Sequence, residues 1–110
     1  MGTIFKLGEL EQLILLVVLR LGDDAYGVTI QREFASIAHR RISLGAIYTT
    51  LERLETKRYV SSTIGGATPE RGGRAKRYFV VEAAGKEALA RSFETLRKLT
   101  AGLEISVKGI

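Results

Sequence analysis

The sequence lacks cysteine and tryptophan and contains a single histidine. Without cysteine the chain can form neither disulfides nor cysteine-bearing zinc or iron–sulfur sites, and it has no thiolate nucleophile. His39 has no second histidine or carboxylate close to it in the sequence, so neither a metal site nor a general base is expected there. We interpret it as a residue near a helix C-terminus, where a positive charge is favourable.

No apolar run in the sequence is long enough to cross a bilayer. The longest, Leu13–Leu19, is flanked by Glu11 and Arg20 and is about a third of the roughly 20 residues that a membrane helix needs. The first residues do not resemble a signal peptide, because Lys6 is soon followed by acidic residues. We therefore expect no membrane partner and a cytoplasmic location.

Catalytic and cofactor-binding motifs are missing as well. The pairs Gly65-Gly66 and Gly72-Gly73 fit neither a phosphate-binding loop nor the dinucleotide-binding fingerprint. No nucleophile–base pair is evident, and helix surface and capping explain the acidic pairs Glu9/Glu11 and Asp23/Asp24. We therefore predict neither an enzyme nor a cofactor.

What the sequence does have is a globular composition with an uneven charge. Its 110 residues, 45% hydrophobic and 26% charged, are enough for one folded domain. Residues 40–78 carry nine basic and three acidic side chains, a local net charge of +6, whereas residues 1–39 sum to −2 and residues 79–110 to +1. A positive segment of this kind favours a polyanionic partner.

Hydrophobic periodicity predicts two helices in the first part of the chain. Residues Gly8 to Leu21 are apolar on almost every face, so this helix should be buried on one side by its own domain and on the other by a partner subunit. A second helix, about Ala25–His39, should begin with an Asp N-cap and bury Ile30, Phe34 and Ile37.

The middle and end of the chain predict a third helix, a β-hairpin and a last helix. Ser43 can cap a helix that extends to about Lys57 and buries every third or fourth residue from Leu44. Two β-branched and aromatic runs, at 59–64 and 76–81, surround a Gly/Pro-rich stretch at 65–73 and indicate a hairpin with a long tip. The last helix, about Ala83–Gly102, has a leucine and phenylalanine stripe near a 3.5-residue spacing, with nothing in one subunit to cover it.

Three helices followed by a basic hairpin are the order of elements in a winged helix-turn-helix, a mostly α fold with a small β-hairpin. In this fold the third helix enters the major groove of DNA and the hairpin, called the wing, contacts the adjacent backbone. The outward face of the third helix has small and hydrogen-bonding residues near its N-terminus, which suits close approach to base edges. The candidate DNA contacts are Arg40, Arg41, Ser43, Gly45, Tyr48, Thr49, Thr50, Arg53, Arg71, Arg74, Lys76 and Arg77.

Two other interpretations stay open at this point. The third helix and the basic loop are also compatible with a solvated surface that has no partner. Alternatively, a winged helix can serve as a protein-interaction module that does not bind DNA, in which case the apolar first and last helices would be the working surface.

The motifs of the chain resemble those of the PadR family of bacterial transcriptional regulators, in its short subclass with one C-terminal helix. The resemblance covers roughly residues 8–103. It rests on the recognition-helix sequence Gly45-Ala46-Ile47-Tyr48-Thr49-Thr50-Leu51-Glu52-Arg53-Leu54-Glu55, on Tyr26-Gly27, and on the wing segment 72–79 with Gly85 after it.

This resemblance implies a homodimeric repressor of a nearly two-fold symmetric double-stranded operator. Residues 1–81 would form the DNA-binding part, with Tyr48, Arg74 and Lys76 as DNA contacts, and residues 82–110 would form the dimerisation helix and tail. The implied dimer interface consists of Leu13, Leu16, Val17, Leu89, Phe93, Leu96 and Leu103.

The resemblance further implies that a small aromatic effector could bind near the dimer interface and release DNA, with Phe5 and Phe93 as candidate lining residues. Because tryptophan is absent, an indole-stacking drug site is excluded. Two departures from the family pattern stand out: Arg58 replaces the glycine that often follows the recognition helix, and Glu82 replaces a threonine cap before the last helix.

Overall fold

The computed structural model describes residues 7–65 and 75–105. In chain order these residues form α1 (Glu9–Leu21), a 3-10 turn (Gly22–Asp24), α2 (Gly27–Ala38), α3 (Leu44–Thr56), β1 (Val60–Ile64), β2 (Arg77–Val81) and α4 (Ala83–Thr100). The predicted fold class is confirmed: the chain is mostly helical with one small hairpin. Phe5, Arg71 and Arg74, which the sequence analysis singled out, lie outside the described residues.

A single core holds α1, α2, α3 and the hairpin together. The largest fully buried side chains come from the three helices and from both strands of the hairpin, so the position of each helix depends on the others. They are Phe34, Phe79, Ile14, Leu15, Ile30, Ile47, Leu51, Leu54, Val18 and Val60. The prediction that Ile37 is buried is wrong: half of its surface is exposed, because α2 ends only one residue later and its last turn projects beyond the core.

The two strands form an antiparallel hairpin whose base lies against the core. Val60 pairs with Val81 and Ile64 with Arg77, which places Phe79 and Val81 on the inner face. The segment before α2 adds to the sheet, because Phe79 N–H donates to Ala25 O over 2.9 Å and Tyr26 forms a bridge with Tyr78. The wing is therefore attached to the start of α2 as well as to the end of α3.

The start of α2 differs from the prediction of an Asp N-cap. Tyr26 is the N-cap residue, and its backbone N–H donates to the hydroxyl of Thr29 over 3.0 Å. The Thr29 hydroxyl in turn donates to Asp24 O. Pairing of Ala25 and Tyr26 with β2 draws the chain away from a helical path there, so the helix begins later than the sequence pattern suggests.

Within the described ranges, the last helix is buried against the other elements only in its first turns. Gly85, Ala88 and Leu89 are buried, and a Cβ at Gly85 would overlap Tyr59 O, so a glycine is needed for this close approach. From Phe93 onward the apolar side chains are exposed. None of the described helices is long and apolar enough to span a membrane.

Candidate nucleic-acid interface

Helix α3 presents one apolar and one polar face, as its sequence predicts, but Leu44, the first residue of the predicted buried series, is exposed because it begins the helix at the edge of the core. Ser43 caps it by accepting a hydrogen bond from Ala46 N–H over 3.0 Å, and Ile47, Leu51 and Leu54 fix its inner face in the core. Its outer face exposes Gly45, Tyr48, Thr49, Glu52 and Arg53. A helix held in this way can enter a groove without losing its attachment to the domain.

The assignment of Thr50 to the DNA-contacting set is wrong. Only 4% of Thr50 is exposed, and its hydroxyl donates to Ala46 O over 2.8 Å. A hydroxyl that bonds to the carbonyl one turn back can occupy the buried face of a helix without an unpaired polar atom. Thr49, its exposed neighbour, keeps its place as a candidate contact.

Tyr48 lies at the border of the two faces, with 37% of its surface exposed. Its ring covers Gly27 at the start of α2, and an added Cβ at Gly27 would come within 2.6 Å of the ring atom Cζ. The tyrosine therefore locks α3 against α2 while its edge remains accessible.

Arginines surround the turn between α2 and α3. Arg40 lies 3.5 Å from Glu9 and 5.4 Å from the centre of the Phe34 ring, and half of its side chain remains exposed. Arg41 lies beside an open groove that Arg32 and Ser43 also line. The exposed ion pair to Glu9 contributes little energy, so both arginines remain available to an anion.

Lys76 stands at the described start of the wing's second strand. Its Nζ lies 4.4 Å from the centre of the Tyr26 ring and 3.4 Å from the Tyr26 hydroxyl. The hydrogen bond to Tyr26 raises the pKa of Lys76 above its ordinary value of 10.5, which favours the charged ammonium. The contact holds the charge near the start of α2, whose N-cap residue is Tyr26.

The family now follows from comparison with known proteins. The sequence matches the transcriptional regulator PadR-like family over residues 15–91. The chain is a member of this family. It is accordingly a DNA-binding transcriptional regulator and not an enzyme, as the sequence predicts.

Solved structures share the fold of this PadR-like chain. A PadR-like transcription factor from Bacteroides fragilis is 21% identical, with 83% of this chain and 82% of that one covered and a TM-score of 0.68. A PadR family transcription regulator from Clostridium difficile is 22% identical, with 84% and 95% covered and a TM-score of 0.65. One from Eggerthella lenta is 22% identical, with 86% and 81% covered and a TM-score of 0.66. A search of curated proteins finds no significant match.

Arg77 of this PadR-like chain has a partly buried carboxylate partner, whereas the ion pair of Arg40 with Glu9 is exposed. Its guanidinium pairs with Glu55 on α3, and its Nε donates to the Ser62 hydroxyl over 2.9 Å. A DNA phosphate would have to compete with this partly buried pair. Sequence reasoning missed the pairing because the residues lie 22 positions apart and only the fold brings them together.

Two of the predicted dimer contacts belong to the core of one chain. Val17 and Leu89 are 6% and 3% exposed within a single subunit, so they cannot also face a partner. Leu13 and Leu16 are half-buried against the core. Phe93, Leu96 and Leu99 are exposed, and we refer to these three residues as the apolar face of α4; Leu103, which is also exposed, lies beyond the end of the helix.

Arg32 is a basic residue that the sequence analysis left aside. It lies on α2, in the part of the chain with a net negative charge, and therefore did not stand out as a candidate contact. The structure nevertheless brings it to the groove beside Arg41. The turn of the helix-turn-helix is therefore more positive than the local sequence indicates.

Proposed function

We propose that this protein is a homodimeric transcriptional repressor that binds a two-fold symmetric operator with α3 of each subunit. The observation that supports this most directly is the exposed outer face of α3, with Arg41 near its N-terminus and Lys76 in the wing. Two such helices would enter successive major grooves about one helical turn, roughly 34–36 Å, apart.

The side chains divide into contacts to bases and contacts to phosphates. Gly45 allows the backbone close to the groove floor, Thr49 donates or accepts at base edges, and Arg53 pairs with a guanine or a phosphate. Tyr48 contributes its exposed edge. Arg40, Arg41, Ser43, Arg74 and Lys76 approach the sugar–phosphate backbone, which fixes the register of the protein without reading the sequence.

Dimerisation would place the two recognition helices at this spacing. In our proposal residues 1–81 bind DNA and residues 82–110 supply the dimerisation helix, whose apolar face packs on its copy and on Leu13 and Leu16 of α1. The exposure of these side chains in one subunit is the supporting observation, because apolar stripes of this size are usually covered. A small aromatic effector that enters this seam near Phe93 would change the helix spacing and release DNA.

The test is fluorescence-anisotropy binding to DNA from upstream of the protein's own gene, against a scrambled duplex, at low and near-physiological salt. We expect a preference for the native sequence that persists at the higher salt. The variant Arg74→Ala/Lys76→Ala should weaken binding to both duplexes and reduce the slope of log affinity against log salt by about 0.9 for each lost phosphate contact.

The matched control is Lys86→Ala/Arg91→Ala, which removes the same charge from exposed positions of α4. It should leave the slope almost unchanged. Equal, salt-sensitive binding of the wild type to both duplexes would contradict sequence recognition. Absence of binding would favour the protein-interaction module instead. A reporter gene under the same upstream DNA should be expressed less when the protein is present, whereas higher expression would contradict repression.

A further inference from the structure

Three side chains connect the recognition helix to the wing in a closed hydrogen-bonded ring. Arg77 of β2 pairs with Glu55 on α3 and donates from Nε to the hydroxyl of Ser62 on β1 over 2.9 Å. The Ser62 hydroxyl donates to the second carboxylate oxygen of Glu55 over 2.8 Å. Both oxygens of Glu55 are therefore bound by residues of the wing.

The ring is partly shielded from water, which strengthens it. The Arg77 and Glu55 side chains are 36% and 33% exposed, and the Arg77 guanidinium carbon lies 5.1 Å from the centre of the Phe79 ring. Ion pairs on an open surface contribute little, but a partly buried pair with a third bonding partner fixes one geometry.

The position of the ring in the hairpin determines what it can fix. Phe79 and Val81 anchor the base of the wing in the core, whereas Arg77 and Ile64 form the last pair of the described ladder on the side of the tip. A two-stranded hairpin is only marginally stable without further packing. The ring is the polar attachment of the described part of the wing to α3 at this outer end.

We infer that Arg77, Glu55 and Ser62 are positioning residues, which set the angle between the wing and α3 so that both fit one DNA sequence. This inference rests on the proposed function. Arg77 supports sequence discrimination without touching DNA, because its Nε and one terminal nitrogen are directed at Ser62 and Glu55 and the ion pair holds the guanidinium on α3. Lys76, its neighbour in sequence, contacts Tyr26 instead and has no carboxylate that a phosphate would have to displace among the described residues.

The experiment compares Arg77→Ala with Lys76→Ala on two probes: a duplex that the wild-type protein selects from a random-sequence pool, and a scrambled duplex of the same composition. Affinities are measured at several salt concentrations. We expect Arg77→Ala to weaken binding to the selected duplex about tenfold or more, with the scrambled duplex and the salt slope unchanged. Lys76→Ala should weaken both duplexes alike and reduce the slope by about 0.9.

Glu55→Gln, which keeps the size of the side chain, and Ser62→Ala, which removes only the hydroxyl, test the same ring from the other elements. Each variant should bind the selected duplex with less preference over the scrambled one, as Arg77→Ala does. The double variant Glu55→Gln/Arg77→Ala should lose no more of this preference than the more affected single variant, since the effects of residues that act as one unit are not additive. Amide exchange of Gly65, whose N–H donates to Lys76 O over 2.6 Å, should accelerate in all of them without DNA.

The outcomes separate this inference from the proposed function. If the wild type selects no duplex, the proposed function fails and the inference fails with it. If the wild type discriminates but Arg77→Ala retains that discrimination, or reduces the salt slope as Lys76→Ala does, only the positioning role is overturned. If Arg77→Ala loses discrimination between the duplexes while the salt slope is unchanged and amide exchange of Gly65 is faster, the positioning role is supported.

Discussion

The hydroxyl end of Tyr48 occupies the space in which a side chain at Gly27 would begin. This relationship joins the recognition helix to the start of α2, the segment that also pairs with the wing at Tyr26. Tyr48, at the edge of the outer face of α3, thus packs at a position on α2 where only a glycine leaves room for it. It explains why Tyr26-Gly27 and Tyr48 occur together in this sequence.

We expect Gly27→Ala to destabilise the protein by about 1 kcal/mol, because the overlap with Tyr48 outweighs the better helix propensity of alanine. The free energy of unfolding in urea measures this. In a Tyr48→Ala background the same substitution should be neutral or stabilising, since the overlap is gone. An equal cost in both backgrounds would contradict the contact.

Gly45→Ala should have the opposite effect on stability from Gly27→Ala. Nothing lies closer than 3.8 Å to an added Cβ there, so the alanine should stabilise α3, by up to about 1 kcal/mol. Affinity for the selected duplex should nevertheless fall, because the methyl group would separate the helix backbone from the groove. Unchanged affinity would place Gly45 away from DNA.

Arg58 adopts the left-handed conformation, with a φ of 63°, directly after α3. Its N–H donates to Glu55 O and the next N–H, from Tyr59, donates to Leu54 O, the bonding pattern of a Schellman motif. Because an L side chain is strained there, Arg58→Gly should raise the unfolding free energy by about 1 kcal/mol. Arg58→Ala, which keeps a Cβ, is the control and should give no such gain; equal stability of the two variants would exclude relief of strain.

Much of this architecture could be predicted from the sequence because it depends on local pattern. The limits of α1, α3 and α4 lie within two residues of the predicted ones, and Ser43 caps α3 as expected. His39 is the C-terminal cap of α2 in the left-handed conformation, in agreement with its predicted place at a helix end.

The errors have a different physical origin, since they depend on contacts between distant parts of the chain. The Thr50 hydroxyl donates to the backbone carbonyl of Ala46 one turn earlier, so this polar residue is buried although its polarity predicts an exposed position. Arg77 finds Glu55 only after the hairpin has folded back on α3. Glu11, interpreted as helix surface or capping, does accept a bond from Gly8 N–H but is otherwise 93% covered.

The burial of Glu11 leads to a stability prediction. Both of its oxygens lie within hydrogen-bonding distance of Lys57 Nζ, at 2.8 and 2.7 Å, and the two side chains are only 10% and 19% exposed. Lys57→Ala should therefore destabilise the fold by about 3 kcal/mol, because it leaves a covered carboxylate without its cation. Arg20→Ala breaks the exposed pair with Glu33 and should cost less than about 1 kcal/mol. Similar costs for the two variants in urea unfolding would contradict the distinction.

The apolar face of α4 gives the last prediction. Phe93 is 45% exposed and Leu96 53% exposed in one subunit, so an aspartate at position 93 costs the isolated chain little but would bury an unpaired charge in a dimer. Phe93→Asp should sediment as a monomer and still unfold in one cooperative transition, with a melting temperature that no longer depends on protein concentration. Lys98→Asp, which places the same side chain on the opposite, exposed side of the helix, should remain dimeric. The monomer should also bind the selected duplex far more weakly, because each subunit would then bind its half-site independently. If the Phe93→Asp protein remains dimeric, the dimer interface lies outside the apolar face of α4.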